Sequence, residues 1–123
     1  MNEQRFNELI AKRIGKCTDV LVNKAFEYAH PEDRLHNFKV AAKLQGISPR
    51  EAIRGMMSKH TVSIYDMCAN DRVYSDELWD EKLTDSINYL FLLEAIVADE
   101  AAEKLAETRQ RIRSDLDIWK TAK

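Results

Sequence analysis

Residues 75–96 read SDELWDEKLTDSINYLFLLEAI, and which way this run faces decides the fold. Ser75 has the hydroxyl of a helix N-cap, and Asp76 and Glu77 place negative charge where the helix dipole favours it. Glu77, Glu81 and Asp85 then recur at i, i+4 and i+8, with Asn88 following. At about 100° per residue these four fall in a band roughly 80° wide. Leu83, Ile87, Leu90, Phe91 and Val97 fill a separate, wider sector, which reads as the core face. Leu78, Tyr89, Leu92 and Ile96 lie beside the acids. Three carboxylates at helical spacing repel one another mildly, so the pattern asks for a reason. One reason is a divalent-cation site, since Mg²⁺ takes oxygen ligands and few of them from protein. The plainer one is a solvated acidic face, which is what a charge run usually is.

On either side of this run the chain keeps helical period. Upstream, Phe6, Leu9, Ile10, Ile14, Cys17, Leu21, Ala25 and Tyr28 follow i, i+3/i+4 spacing and predict a helix from about Glu3 to Ala29, capped by Asn2. Gly15 allows a bend, and His30-Pro31 ends the helix because the residue before proline avoids the α region. A short second helix carries Leu35, Phe38, Ala41, Ala42 and Leu44 up to Gly46, a good C-terminal glycine. Ser48-Pro49-Arg50-Glu51 is a capping box with proline at the first helical position. The helix it opens should reach about Cys68, with Ile53, Met56, Met57, His60, Ile64, Met67 and Cys68 inward. Residues 69–74 read as a turn. After Ser75 no glycine or proline stops the fourth helix, so either it runs on as an arm against a partner chain or it breaks near Asp99 or Ser114.

The expectation is a single all-α domain over residues 1–123, a four-to-five-helix bundle with a long C-terminal helix. Its core spans about 3–98, with a helical extension over about 99–123. The first, third and fourth helices should supply most of that core. Leu105, Ile112, Leu116 and Trp119 have little local material to pack on, which predicts a homo-oligomer, most simply a dimer.

Composition excludes several roles. In 123 residues, 19 Lys and Arg are interspersed with 21 Asp and Glu for a net charge of −2, which is not the basic surplus of a duplex nucleic-acid binder. No apolar run approaches a membrane span of about 20 residues, and the polar, acidic start has no signal-peptide pattern. Cys17 and Cys68 have no CxxC partner and read as buried reduced thiols, which fits a cytoplasmic setting.

The polar residues of the first half divide into two readings. Glu27 at the end of one helix and His36 and Asn37 early in the next converge on one cleft in the functional reading. In the plain reading they cap helix ends and meet water. His60, beside an apolar stripe, reads as a satisfied core histidine. Lys59 is the better functional candidate, as a charge among carboxylates and phosphates.

Three segments, KAFEYAHPEDRLHNF, GISPREAIRGMMSKHTVSIYDM and ELWDEKLTDSINYLFLL, resemble a small phage and prophage family. That family is similar to the nucleotide-modification-associated domains and, through them, to the MazG-like all-α nucleoside triphosphate pyrophosphohydrolases. The resemblance covers roughly residues 24–96. It rests on Glu27-Tyr28-Ala29, on Asp33-Arg34 with Asn37-Phe38, and on Glu77, Glu81, Asp85 and Asn88-Tyr89. It implies a MazG-like helical fold with a Mg²⁺-dependent acidic cleft, in a dimer or tetramer. The chain departs from the pyrophosphohydrolase pattern in that its ExxE pair, Glu100 and Glu103, follows the acidic stripe. The usual upstream pair is missing or replaced by Glu27 and Asp33.

On this reading Glu77, Glu81 and Asp85 are the catalytic carboxylates and, with Glu27, the Mg²⁺ ligands. Lys59 and Arg34 meet phosphate oxygens, Asn37 and Asn88 read sugar or base, and Tyr28, Phe38, Tyr65 or Trp79 supplies an aromatic slot. The expected activity is Mg²⁺-dependent pyrophosphohydrolysis of a nucleoside phosphate. A non-catalytic nucleotide- or signal-binding protein and a helical protein-interaction module are the alternatives.

Overall fold

Three of the helices start where a side chain accepts one of their first free amides. In a computed structural model of the protein, which describes residues 1–25 and 30–122, the described residues form four α-helices and no strand. Asn2 Oδ1 accepts the Arg5 N–H at 2.8 Å and opens α1, Glu3–Thr18. Ser48 Oγ accepts the Glu51 N–H at 3.2 Å and opens α3, Pro49–Cys68. Ser75 Oγ accepts the Leu78 N–H at 3.1 Å and opens α4, Asp76–Thr121. Between α1 and α3 lies α2, His36–Gln45, which ends at Gly46 with φ +65°. There the Ile47 N–H reaches back to the Ala42 carbonyl at 3.0 Å, the closure that a left-handed glycine permits.

The first helix is shorter than its periodicity suggests. α1 stops at Thr18 and the chain continues as a π-helical turn, Asp19–Asn23, in which the Lys24 N–H bonds to the Asp19 carbonyl at 3.0 Å. Val20 and Val22 sit in this wider turn, where the crowding that β-branched residues suffer in an α-helix is relieved. Gly15 lies within α1. Of the residues expected to complete this helix, Phe26 to Ala29 lie outside the described set.

The core is built from α2, α3 and α4, not from α1, α3 and α4. Leu35, Phe38, Ile53 and Ile96 form one buried cluster, with Met56, Met57, Tyr89, Leu92 and Leu93 packed against it. α1 buries only Cys17. Its apolar face of Phe6, Leu9, Ile10 and Ile14 is periodic as expected but stays exposed.

The fourth helix is oriented opposite to expectation. Leu83, Leu90, Phe91 and Val97, read as its core face, are exposed, and Ile87 is half-buried. The side bordering the acids turns inward instead, with Thr84, Asn88 and Ile96 buried. The physical reason lies across the contact, because the packed elements supply cations for the acids. Arg13 and Lys16 of α1 each reach Asp80 at 2.6 Å. Lys39 of α2 lies 3.0 Å from Asp99, and Arg50 of α3 lies 3.0 Å from Glu100.

Past these pairs α4 continues without a break. From residue 104 to 122 every position is exposed except half-buried Thr108. Cys17 is buried as expected, but Cys68 is exposed at the end of α3, so only one of the two thiols is shielded. No helix among the described residues is long and apolar enough to cross a membrane.

Candidate functional site

The acids of α4 look onto α1, and the seam between the two helices holds the densest polar chemistry of the described residues. Asp80 is its anchor. Arg13 Nη1 donates to the Asp80 carboxylate at 2.6 Å, to the Asp80 carbonyl at 3.2 Å and to Thr84 Oγ1 at 2.8 Å. Lys16 Nζ donates to the same carboxylate oxygen at 2.6 Å. Bonds from Lys16 and Arg13 hold the Asp80 carboxyl below the usual carboxylate range. One turn further along, Asn88 Nδ2 donates to the Cys17 carbonyl at 3.4 Å. Burial pushes the Cys17 thiol up, against the opposing pull of Arg13. The aspartate that binds most tightly is therefore Asp80, one residue off the stripe singled out in the sequence.

Two open grooves follow this seam, and Lys12, Lys16 and Asp80 line both. The first, of about 580 Å³, runs between Lys12, Gly15, Lys16 and Asp19 on α1 and the π-turn and Glu81, Thr84 and Asp85 on α4. The second, of about 530 Å³, lies nearer the start of α4, where Glu77 and Trp79 face Arg5, Glu8 and Leu9. Both volumes fall in the range of small-molecule sites. Glu77 and Glu81 are exposed, whereas Asp85 is half-buried.

Asp85 also reaches the other way. Its Oδ2 lies 4.0 Å from His60 Nδ1 on α3, and the His60 ring stands 5.0 Å from that of Tyr89. Burial, reinforced by Asp85, raises the Tyr89 phenol above its ordinary pKa. His60 Nδ1, Ser86 Oγ and Asn88 Oδ1 are buried with no hydrogen-bond partner among the described residues. Buried polar groups are normally paired, and of these atoms His60 Nδ1 lies on the α3 side of α4 while Asn88 lies on the α1 side. His60 is thus not a satisfied core histidine. The signal that could have found it was the Lys59-His60 step in α3, where the sequence reading favoured the lysine.

The remaining sequence candidates are dispersed. Lys59 is exposed on α3 and lines neither groove. Arg34 is exposed and its Nη2 donates to the Leu21 carbonyl at 3.4 Å. Asn37 is exposed early in α2, whereas Asn88 is buried at the α1 contact. Asp33 accepts the Leu35 N–H at 2.9 Å and Lys39 Nζ at 2.8 Å, in the turn just ahead of α2. Glu27 and Tyr28 lie outside the described residues. Of the aromatic candidates, Phe38 is in the core, Tyr65 is exposed, and Trp79 stands edge-on to Tyr74 at 6.1 Å on the second groove. The cations that do line the grooves, Arg5, Lys12, Arg13 and Lys16, come from the N-terminal helix, outside the segments that carry the family resemblance.

Among the described residues no three of His, Cys, Asp and Glu come together as a metal-binding group. Glu81 and Asp85, one turn apart on the first groove, remain as a pair of carboxylates. That is as many as Mg²⁺ commonly takes from protein when phosphates supply its other ligands. Compared with models of known protein families, with curated proteins and with solved structures, the chain has no match in any of the three.

Proposed function

We propose that the protein binds a nucleoside phosphate, as its Mg²⁺ complex, along the seam between α1 and α4. One observation carries this reading: Glu81 and Asp85 form one wall of an open groove whose other wall holds Lys12 and Lys16. Acids and cations facing each other across a groove suit a ligand that brings both signs of charge, as a metal-bound phosphate does. Glu81 and Asp85 are the residues that would hold the ion, which would neutralise phosphate charge and acidify a bound water. Lys12 and Lys16 supply point charges to phosphate oxygens, and Lys16 is already held in place by Asp80. Trp79, on the adjoining groove, offers a face on which a base can stack. His60 lies on the far side of Asp85, 4.0 Å from its carboxylate.

The test is a set of melting curves with nucleoside mono-, di- and triphosphates, each with and without Mg²⁺. A ligand that binds only the folded chain raises Tm, by about 2.7 kcal/mol of stabilisation at one hundred times its Kd. The expected result is a rise that needs nucleotide and Mg²⁺ together and shrinks at least tenfold in apparent affinity in Asp85→Asn. Release of phosphate or pyrophosphate under the same conditions identifies a hydrolase, and stabilisation without release identifies a binding protein. No response to any nucleotide, or equal Mg²⁺ responses in wild type and Asp85→Asn, would sink the reading.

A further inference from the structure

The face of α4 that turns away from the bundle is apolar along nearly its whole length, and its residues are spaced as a palindrome. Leu83, Leu90 and Val97 stand 18, 11 and 4 positions before Ala101, while Leu105, Ile112 and Trp119 stand 4, 11 and 18 positions after it. Seven-residue steps drift by about 20° each on a straight helix. The paired four-residue steps at Ala101 reverse that drift, so all seven lie in a band about 80° wide and about 54 Å long. The six large side chains are between 36% and 57% exposed.

We infer that two copies of this chain pair through α4, antiparallel, about a two-fold axis passing beside Ala101. The palindrome is what an isologous interface requires, because each residue must meet a complementary one from the same list. Here Val97 meets Leu105, Leu90 meets Ile112, Leu83 meets Trp119, and Glu94 meets Thr108. Charge decides between antiparallel and parallel. Residues 76–99 carry seven acids against one lysine, whereas residues 104–120 carry five basic side chains against three acids. Antiparallel pairing lays the acidic half along the basic half, while an in-register parallel pair would set acid against acid.

Area supports the same occupant. The chain exposes 9763 Å², whereas a compact chain of 14.3 kDa exposes about 6,800 Å². The excess of roughly 3,000 Å² is several times the approximately 800 Å² that a standard interface removes from each partner.

The experiment uses the full chain in a Cys68→Ser background, with single cysteines introduced on α4 and mild oxidation. Leu90→Cys alone should stay uncrosslinked, as should Ile112→Cys alone, while the two co-expressed with different tags should form a mixed disulfide dimer. Ala101→Cys should crosslink to itself. Sedimentation of the unmodified chain at micromolar concentration should give twice the monomer mass. Leu105→Arg should lower it to the monomer with helical circular dichroism retained. A monomeric wild type, a Leu90→Cys self-crosslink, or a dimer that crosslinks at none of these positions would overturn the pairing.

Discussion

Asp80 and Asp85 sit five positions apart on one helix and have opposite surroundings. Asp80 is locked by Lys16 and Arg13. Asp85 faces a groove on one side and an imidazole on the other. The first should therefore matter to stability and the second to binding. A carboxyl whose folded pKa is depressed below the ordinary 3.8 contributes stability above that value and loses it as pH falls through the folded one. Asp80→Asn should lower Tm by a few degrees at pH 7, and the difference from wild type should shrink as pH falls below 3.8. Melting curves across that range check the sign. The His60 site gives a separate readout: His60→Ala should weaken the Mg²⁺-dependent response of Asp85 while leaving Lys12 and Lys16 in place. In the core the cost is steric, since Ile53 has no exposed surface. Ile53→Ala should destabilise by about 2–5 kcal/mol in denaturant titration.

At the scale of elements, helix ends follow from neighbouring residues, and the same substitution should have opposite signs at two glycines. A Cβ on either Gly15 or Gly46 would meet nothing within 4 Å, but only Gly46 holds φ +65°. Gly15→Ala should stabilise α1 by about 0.5–1 kcal/mol, while Gly46→Ala should destabilise by roughly 1 kcal/mol because an L side chain is strained there. Two denaturant midpoints decide it. The stop at Gly46 was legible because a cap needs only residues three or four positions away. The early end of α1 was less so. The periodicity continued through Leu21, but the chain widens into a π-turn at Asp19, and an apolar spacing pattern does not distinguish an α-turn from a π-turn that keeps Leu21 half-buried.

For the whole molecule, the arm beyond Glu103 carries a substantial part of the exposed surface and so should carry the association. If α4 pairs with a second copy, folding is linked to concentration. Tm should rise by several degrees between about 1 and 100 μM in the full chain. It should become independent of concentration when the chain ends after Glu103. A flat Tm in the full chain would count against the pairing. The nucleotide site should survive this truncation, because neither groove on the α1/α4 seam includes a residue beyond Asp85. Loss of association and loss of binding are thus separable measurements.

Local chemistry written in the sequence was enough to specify helix starts at Asn2, Ser48 and Ser75, the stop at Gly46 and an all-α chain with a long last helix, but not that this helix runs unbroken past Asp99 and Ser114. It could not specify which side of that helix faces in, because both sides carry apolar residues and a hydrophobic pattern alone favours the wider one. The choice was made by Arg13 and Lys16, whose bonds to Asp80 and Thr84 close over 64 to 71 positions of chain. Cations at that distance let an acid-bordered face pack inward, and the wider apolar face was left outside.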